Sequence, residues 1–164
     1  MIIVTGTKRS GTSMWMQVLR AAGYDVIGED FPGTWGKSIR SCNPRGFFES
    51  RFRQGIFYAT NPDPRTGRFL RPEPMERYVV KVFVPGLLRS DWAFLGPVLA
   101  TMRPWREYTA SLERLYQTEA TWQEASDELG ERDSASERRV RAGRLPAALE
   151  WWFENYELIR DVAV

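Results

Sequence analysis

Apolar positions along this chain fall into short continuous runs and longer helical repeats, and the two alternate. Met1–Val4 is a continuous apolar, β-branched run of the kind buried inside a parallel sheet. Arg77–Val84, RYVVKVFV, is a second strand, ended by Pro85-Gly86, and Val98–Met102, VLATM, is a third. Tyr24–Ile27 reads as a short strand or an extended link. Helices are expected from about Thr12 to Ala22, closed by Gly23 as C-cap, and from Ser50 to Ala59. A longer one is expected over Trp105–Glu128, with Leu112, Leu115 and Tyr116 on one face. A last one covers Leu145–Arg160, with Trp151, Trp152 and Tyr156 buried or partly so.

The remaining stretches read as connections. Gly28–Gly46 is a glycine- and proline-bearing loop that carries Phe31, Trp35 and Lys37, of a length typical of binding loops. Asn61–Pro74 is a proline-rich surface loop. Leu87–Phe94 is irregular, with Trp92 packed, and Gly130–Gly143 is charged and solvent-facing. Asp161–Val164 has the composition of a further strand's beginning. The alternation predicts one α/β domain over residues 1–164, with a parallel β-sheet flanked by helices.

Composition narrows the chemistry. The chain is 43% hydrophobic, with seven Trp and nine Phe, which implies a thick aromatic core or an open apolar groove. A net charge of +2 argues against nucleic acid as the main partner and leaves room for a local basic pocket. Cys42 is the sole cysteine and fits a reducing compartment. No stretch is long and apolar enough for a membrane-spanning helix, and the chain opens on a strand without a signal-peptide pattern. A soluble, cytoplasmic, bacterial protein is expected. Histidine is absent, which excludes Ser-His-Asp and Cys-His catalysis and histidine metal sites, so a general base must be Glu, Asp, Lys or Tyr.

The chemistry-bearing residues cluster after the first strand. Gly6 and Gly11 bracket a loop with Lys8, Arg9 and Ser10, and Thr12 and Ser13 open the following helix. Such a loop aims backbone N–H groups and a helix dipole at one place, which suits a phosphate or sulfate. The spacing is that of the phosphate loop G-x-x-x-x-G-K-[ST], with Thr12 where the lysine belongs and the cations moved upstream. Lys81, inside a buried strand, needs an anion or water for its ammonium; a snorkelling edge lysine is the plainer reading. Glu49 falls near an expected helix start, where the dipole favours its charge. Arg103 at a strand end and Ser111 two helical turns on read, each by itself, as a surface cation and helix filler.

Arg9-Ser10-Gly11-Thr12-Ser13 resembles the 5′-phosphosulfate loop of sulfotransferases that use 3′-phosphoadenosine 5′-phosphosulfate (PAPS). Arg103 and Ser111 are similar in type and spacing to that family's 3′-phosphate motif. Asn43-Pro44-Arg45-Gly46-Phe47-Phe48-Glu49 resembles an acceptor-side segment of the bacterial members, and Lys81 with Pro85 matches a lysine-bearing strand end in which Phe83 replaces the family's basic histidine. The resemblance implies a P-loop NTPase-like fold and metal-free sulfuryl transfer from PAPS, leaving PAP, to a small-molecule or peptide hydroxyl or amine. It implies that Lys8, Arg9, Ser10, Gly11, Thr12, Ser13, Arg103 and Ser111 bind the nucleotide. It implies catalytic roles for Arg9 and Lys81, with Glu49 as the base. The family usually continues past the point where this chain stops, so a minimal or C-terminally truncated member is expected. The alternatives are a kinase-like phosphotransferase, which needs a loop lysine and a strand-end aspartate, and a catalytically weak nucleotide-binding module. The acceptor and the oligomeric state are not written in the sequence.

Overall fold

The computed structural model describes residues 1–31, 39–57, 67–68, 71–128, 146–158 and 160. Trp35 and Lys37 of the first long loop, Ala59, Asn61, Gly130–Gly143, Leu145 and Asp161–Val164 lie outside the described residues. The sheet has four strands, β1 (Ile2–Gly6), β2 (Asp25–Ile27), β3 (Tyr78–Lys81) and β4 (Val98–Thr101), in the order β2-β3-β1-β4. Every pairing is parallel, with Ile3 opposite Val80 on one side and Val98 on the other. The helices are α1 (Thr12–Ala21), α2 (Val84–Arg89), α3 (Trp105–Glu128) and α4 (Ala147–Glu157). The architecture is α/β.

Alternation along the central strands splits the core between the two faces of the sheet. Ile3 and Val80 point to one face, where they pack with Ile27, Phe52, Ile56 and Leu87. Val4 and Val79 point to the other, against Met16 of α1 and Phe48. α1 and α2 therefore cover opposite faces, and both faces of β1 and β3 are buried, which is why these strands read as unbroken apolar runs. Because all strands run the same way, Gly6, Lys81 and Thr101 end on a common edge, and the loops after β1, β3 and β4 meet there.

Several expected elements come out differently. The Ser50–Ala59 helix is only a 3₁₀ turn over Arg51–Gln54: the Ser50 hydroxyl caps Phe52 N–H, and Gly55, at φ 132°, turns the chain out of helical geometry. Glu49 thus stands before no α-helix; its backbone forms an isolated antiparallel bridge with Glu29. The strand read over Arg77–Val84 ends at Lys81, and Val84 opens α2, whose second residue, Pro85, has a fixed φ that suits a helix start. The irregular Leu87–Phe94 stretch is the end of α2 followed by a 3₁₀ turn over Trp92–Phe94. Trp92 is not packed but 88% exposed, and Trp152 and Tyr156 lie stacked on an exposed face of α4. No helix among the described residues is long and apolar enough to cross a membrane.

Candidate functional site

The loop between β1 and α1 is shaped by what surrounds it. Gly6 has φ 145°, and a Cβ there would stand 2.2 Å from the Thr101 carbonyl oxygen, so β1 and β4 approach as closely as they do only because the residue is glycine. Ser10 donates its hydroxyl proton to the Thr7 carbonyl at 2.6 Å and lies 2.7 Å from the Thr101 hydroxyl, which fastens the loop to the end of β4. Gly11, at φ 100°, precedes α1, and among the described residues no side chain caps that helix. The first N–H groups of α1, from Thr12 on, are therefore not taken up by a capping side chain. The Thr7 hydroxyl is buried with no hydrogen-bond partner among the described residues.

Arg9 adopts the left-handed conformation, φ 60°, which is uncommon for a residue with a side chain. Arg103 Nη1 donates to the Arg9 carbonyl at 2.7 Å, and Arg9 Nε donates to Ser111 Oγ at 3.0 Å. The arginine and serine read from sequence as a pair thus meet through Arg9, at the shared ends of β1 and β4. Arg9 is pushed below the ordinary guanidinium value, first by burial; Cys42 opposes the shift, and the charges of Arg103 and Arg114 add to it. The charges of Arg103 and Arg114 thus act on Arg9 together. The Arg103–Glu107 contact, at 3.4 Å on an exposed helix face, does little to offset them.

On the other side of the α1 start, Lys81 is 4% exposed and Glu49 6%. Lys81 Nζ lies 2.5 Å from Glu49 Oε1, donates to Ser13 Oγ at 3.3 Å and donates to the Phe47 carbonyl. Ser13 donates its own proton to that carbonyl at 3.1 Å. Burial pushes the Lys81 amine below its ordinary value, although the charge and hydrogen bond of Glu49 act the other way. Glu49 Oε2 is buried with no hydrogen-bond partner among the described residues. Lys81 is thus no snorkelling edge lysine; its anion is Glu49, a pairing the spacing of 32 positions did not announce.

Lys8 contacts Glu150 of α4, whose other oxygen accepts from the Tyr116 hydroxyl at 3.2 Å. The next residue, Trp151, donates from Nε1 to the Arg103 carbonyl at 3.0 Å. Thr101, Arg114 and Glu150 were not singled out from sequence, and Tyr116 and Trp151 were read only as residues of helix faces. Only Arg114 left a usable signal, since it follows Ser111 by three positions and shares its helix face. Among the described residues no group of three or more His, Cys, Asp or Glu side chains is gathered to hold a metal ion. No family model matches the chain, and no curated protein or solved structure matches it either.

Proposed function

We propose that this protein is a PAPS-dependent sulfotransferase with a P-loop-like core, acting on a hydroxyl or amine acceptor. The observation that carries the reading is the meeting of Arg9, Arg103 and Ser111 beside the uncapped start of α1. An uncapped helix start suits one phosphate, and a separate guanidinium cluster beside a hydroxyl suits a second. Two phosphoryl groups on one nucleotide, at its 5′ and 3′ ends, distinguish PAPS from ATP. The strand order, in which the chain leaves β1 towards β2 on one side and leaves the adjacent β3 towards β4 on the other, supports a nucleotide at the carboxyl ends of the strands. The residues fit the group in kind: the orphaned Thr7 hydroxyl and the like charges acting on Arg9 are both relieved by an anionic ligand.

The backbone N–H groups of Ser10 to Ser13 would cradle the 5′-phosphate, and Arg103 and Ser111 would hold the 3′-phosphate, with Arg114 beside them. When bound, PAPS supplies an activated sulfuryl group. Arg9 neutralises charge that develops on the leaving phosphate side. Lys81, which touches both Ser13 and Glu49, lies between the nucleotide loop and the base and stabilises charge on the group in passage. Glu49 takes the acceptor's proton on Oε2, the oxygen without a donor. The Ser13 hydroxyl, which holds magnesium in kinase-like loops, here accepts from the Lys81 ammonium, and this favours a metal-free reaction over the kinase-like alternative. The nucleotide-binding module remains the second reading, favoured by the engagement of Glu49 Oε1 with Lys81.

Calorimetric titration with PAP, ADP and ATP–Mg²⁺ tests the reading. Native protein is expected to prefer PAP, and Arg103→Ala to weaken PAP at least about tenfold while leaving ADP nearly unchanged. Absence of PAP binding, or preference for ATP–Mg²⁺, overturns it. PAP binding without turnover across phenol, sugar, lipid and peptide-tyrosine acceptors selects the binding module.

A further inference from the structure

Glu150 is a buried carboxylate that the reaction above does not use. It is 9% exposed and lies in the first turn of α4, 142 positions from its partner Lys8. Its Oε1 contacts the Lys8 ammonium and its Oε2 accepts from Tyr116. Two consequences follow for an anion in the loop. The Lys8 charge is already neutralised, and a fixed negative charge stands beside the loop that has to receive a phosphate. Tyr116 donates to the same carboxylate from α3, so Glu150 loses one of its two anchors, not both, when Lys8 departs.

We propose that Glu150 is a built-in competitor for the loop's anion: it holds Lys8 in the free protein and yields that ammonium to the ligand's phosphate on binding, which loosens the first turn of α4. The inference rests on the anion-site reading of the loop. Coupling between two sites is reciprocal, so if breaking the Lys8–Glu150 contact helps the ligand, the ligand weakens that contact equally. The effect reaches the 3′-phosphate side as well, because Trp151, next in the chain, bonds the Arg103 carbonyl. Regulation is thereby placed in the contact between the loop and α4: whatever holds α4 down lowers affinity for the nucleotide.

The sign of the effect separates competition from mere support. Glu150→Gln keeps the shape and a hydrogen-bond acceptor but removes the charge. It is expected to bind PAP about three- to tenfold more tightly than the native chain, and that gain is expected to shrink when Lys8→Met is added. In native protein, PAP is expected to speed hydrogen exchange at 147–151. This second measurement needs no variant and decides the matter if Glu150→Gln fails to fold. Unchanged or weaker PAP binding by a folded Glu150→Gln overturns the inference alone, as does slower exchange at 147–151. No PAP binding by the native chain overturns the functional reading and this inference together.

Discussion

Lys81→Met isolates the energetics of the buried pair. Methionine keeps the length and apolar stem of lysine and removes only the charge and its donors. Glu49 is then left in the interior with neither oxygen partnered by a side chain: Oε1 loses Lys81, and Oε2 had no partner to begin with. Removing one member of a buried ion pair costs about 3–5 kcal/mol. The lost bond to the Phe47 carbonyl adds little, because Ser13 still donates to that oxygen at 3.1 Å. Set against a total of roughly 5–15 kcal/mol for a domain, the variant sits near the edge of stability. Adding Glu49→Gln removes the stranded charge and is expected to recover about 2 kcal/mol of the loss. Urea unfolding followed by tryptophan fluorescence reads all four corners of the cycle. The pH dependence supplies an independent sign. Burial lowers the Lys81 pKa in the fold, so between that lowered value and the ordinary lysine value of about 10.4 the unfolded chain binds the extra proton. Native stability relative to Lys81→Met should therefore rise as pH increases through that window. A single-variant loss below about 1 kcal/mol, the size of an exposed pair, or a double variant no more stable than the single, refutes the buried-pair argument.

Two further outcomes test the loop and the guanidinium cluster. Gly6→Ala places a Cβ against the Thr101 carbonyl and strains φ, at a combined cost of roughly 2–5 kcal/mol, read as a fall in urea midpoint; a loss within about 0.5 kcal/mol contradicts the close approach of β1 and β4. Arg114→Ala is expected to weaken PAP about three- to tenfold and to leave ADP unaffected in the same titration, because a 3′-phosphate is the group it faces in the proposed site; equal losses for both nucleotides refute that placement.

What could be read from the sequence is what local pattern encodes. β1 and β3 announce themselves because both faces of a central parallel strand are apolar, β4 is legible as an apolar run although it is an edge strand with exposed positions, and α3 spans Trp105–Glu128 as its repeat predicts. Elements failed where one residue outweighed the pattern. Gly55 cut the Ser50 helix to a turn, and Pro85 converted the end of an expected strand into the start of α2. Trp92 and Trp152 look like core by residue type, yet both are exposed, since apolar character alone does not assign a face. Within the site, the glycine and hydroxyl spacing of the loop was legible, and so was the step from Arg103 to Ser111. The partners of the two lysines were not. Lys8 finds Glu150 and Lys81 finds Glu49 across distant segments, and nothing in either neighbourhood specifies such a pairing.

Those pairings divide the site electrically. Lys8 and Lys81 each meet a carboxylate that is largely buried, so in the free protein the charge of each is partly offset where it stands. The guanidiniums are treated differently: among the described residues Arg9 has no carboxylate in contact, and the one on Arg103 is exposed. The uncompensated positive charge therefore gathers around Ser111, while the neighbourhood of Ser13, Lys81 and Glu49 is close to neutral. A metal-dependent phosphoryl transfer asks for the opposite, with the strongest positive field at the hydroxyl of the loop, where the reacting phosphate carries several charges and magnesium offsets them. A sulfuryl group carries one charge, needs no metal to offset it, and travels on a nucleotide whose extra phosphate must be gripped elsewhere. The separation of a cationic half around Ser111 from a near-neutral half around Ser13 and Glu49 fits the proposed sulfuryl transfer better than a metal-dependent phosphoryl transfer.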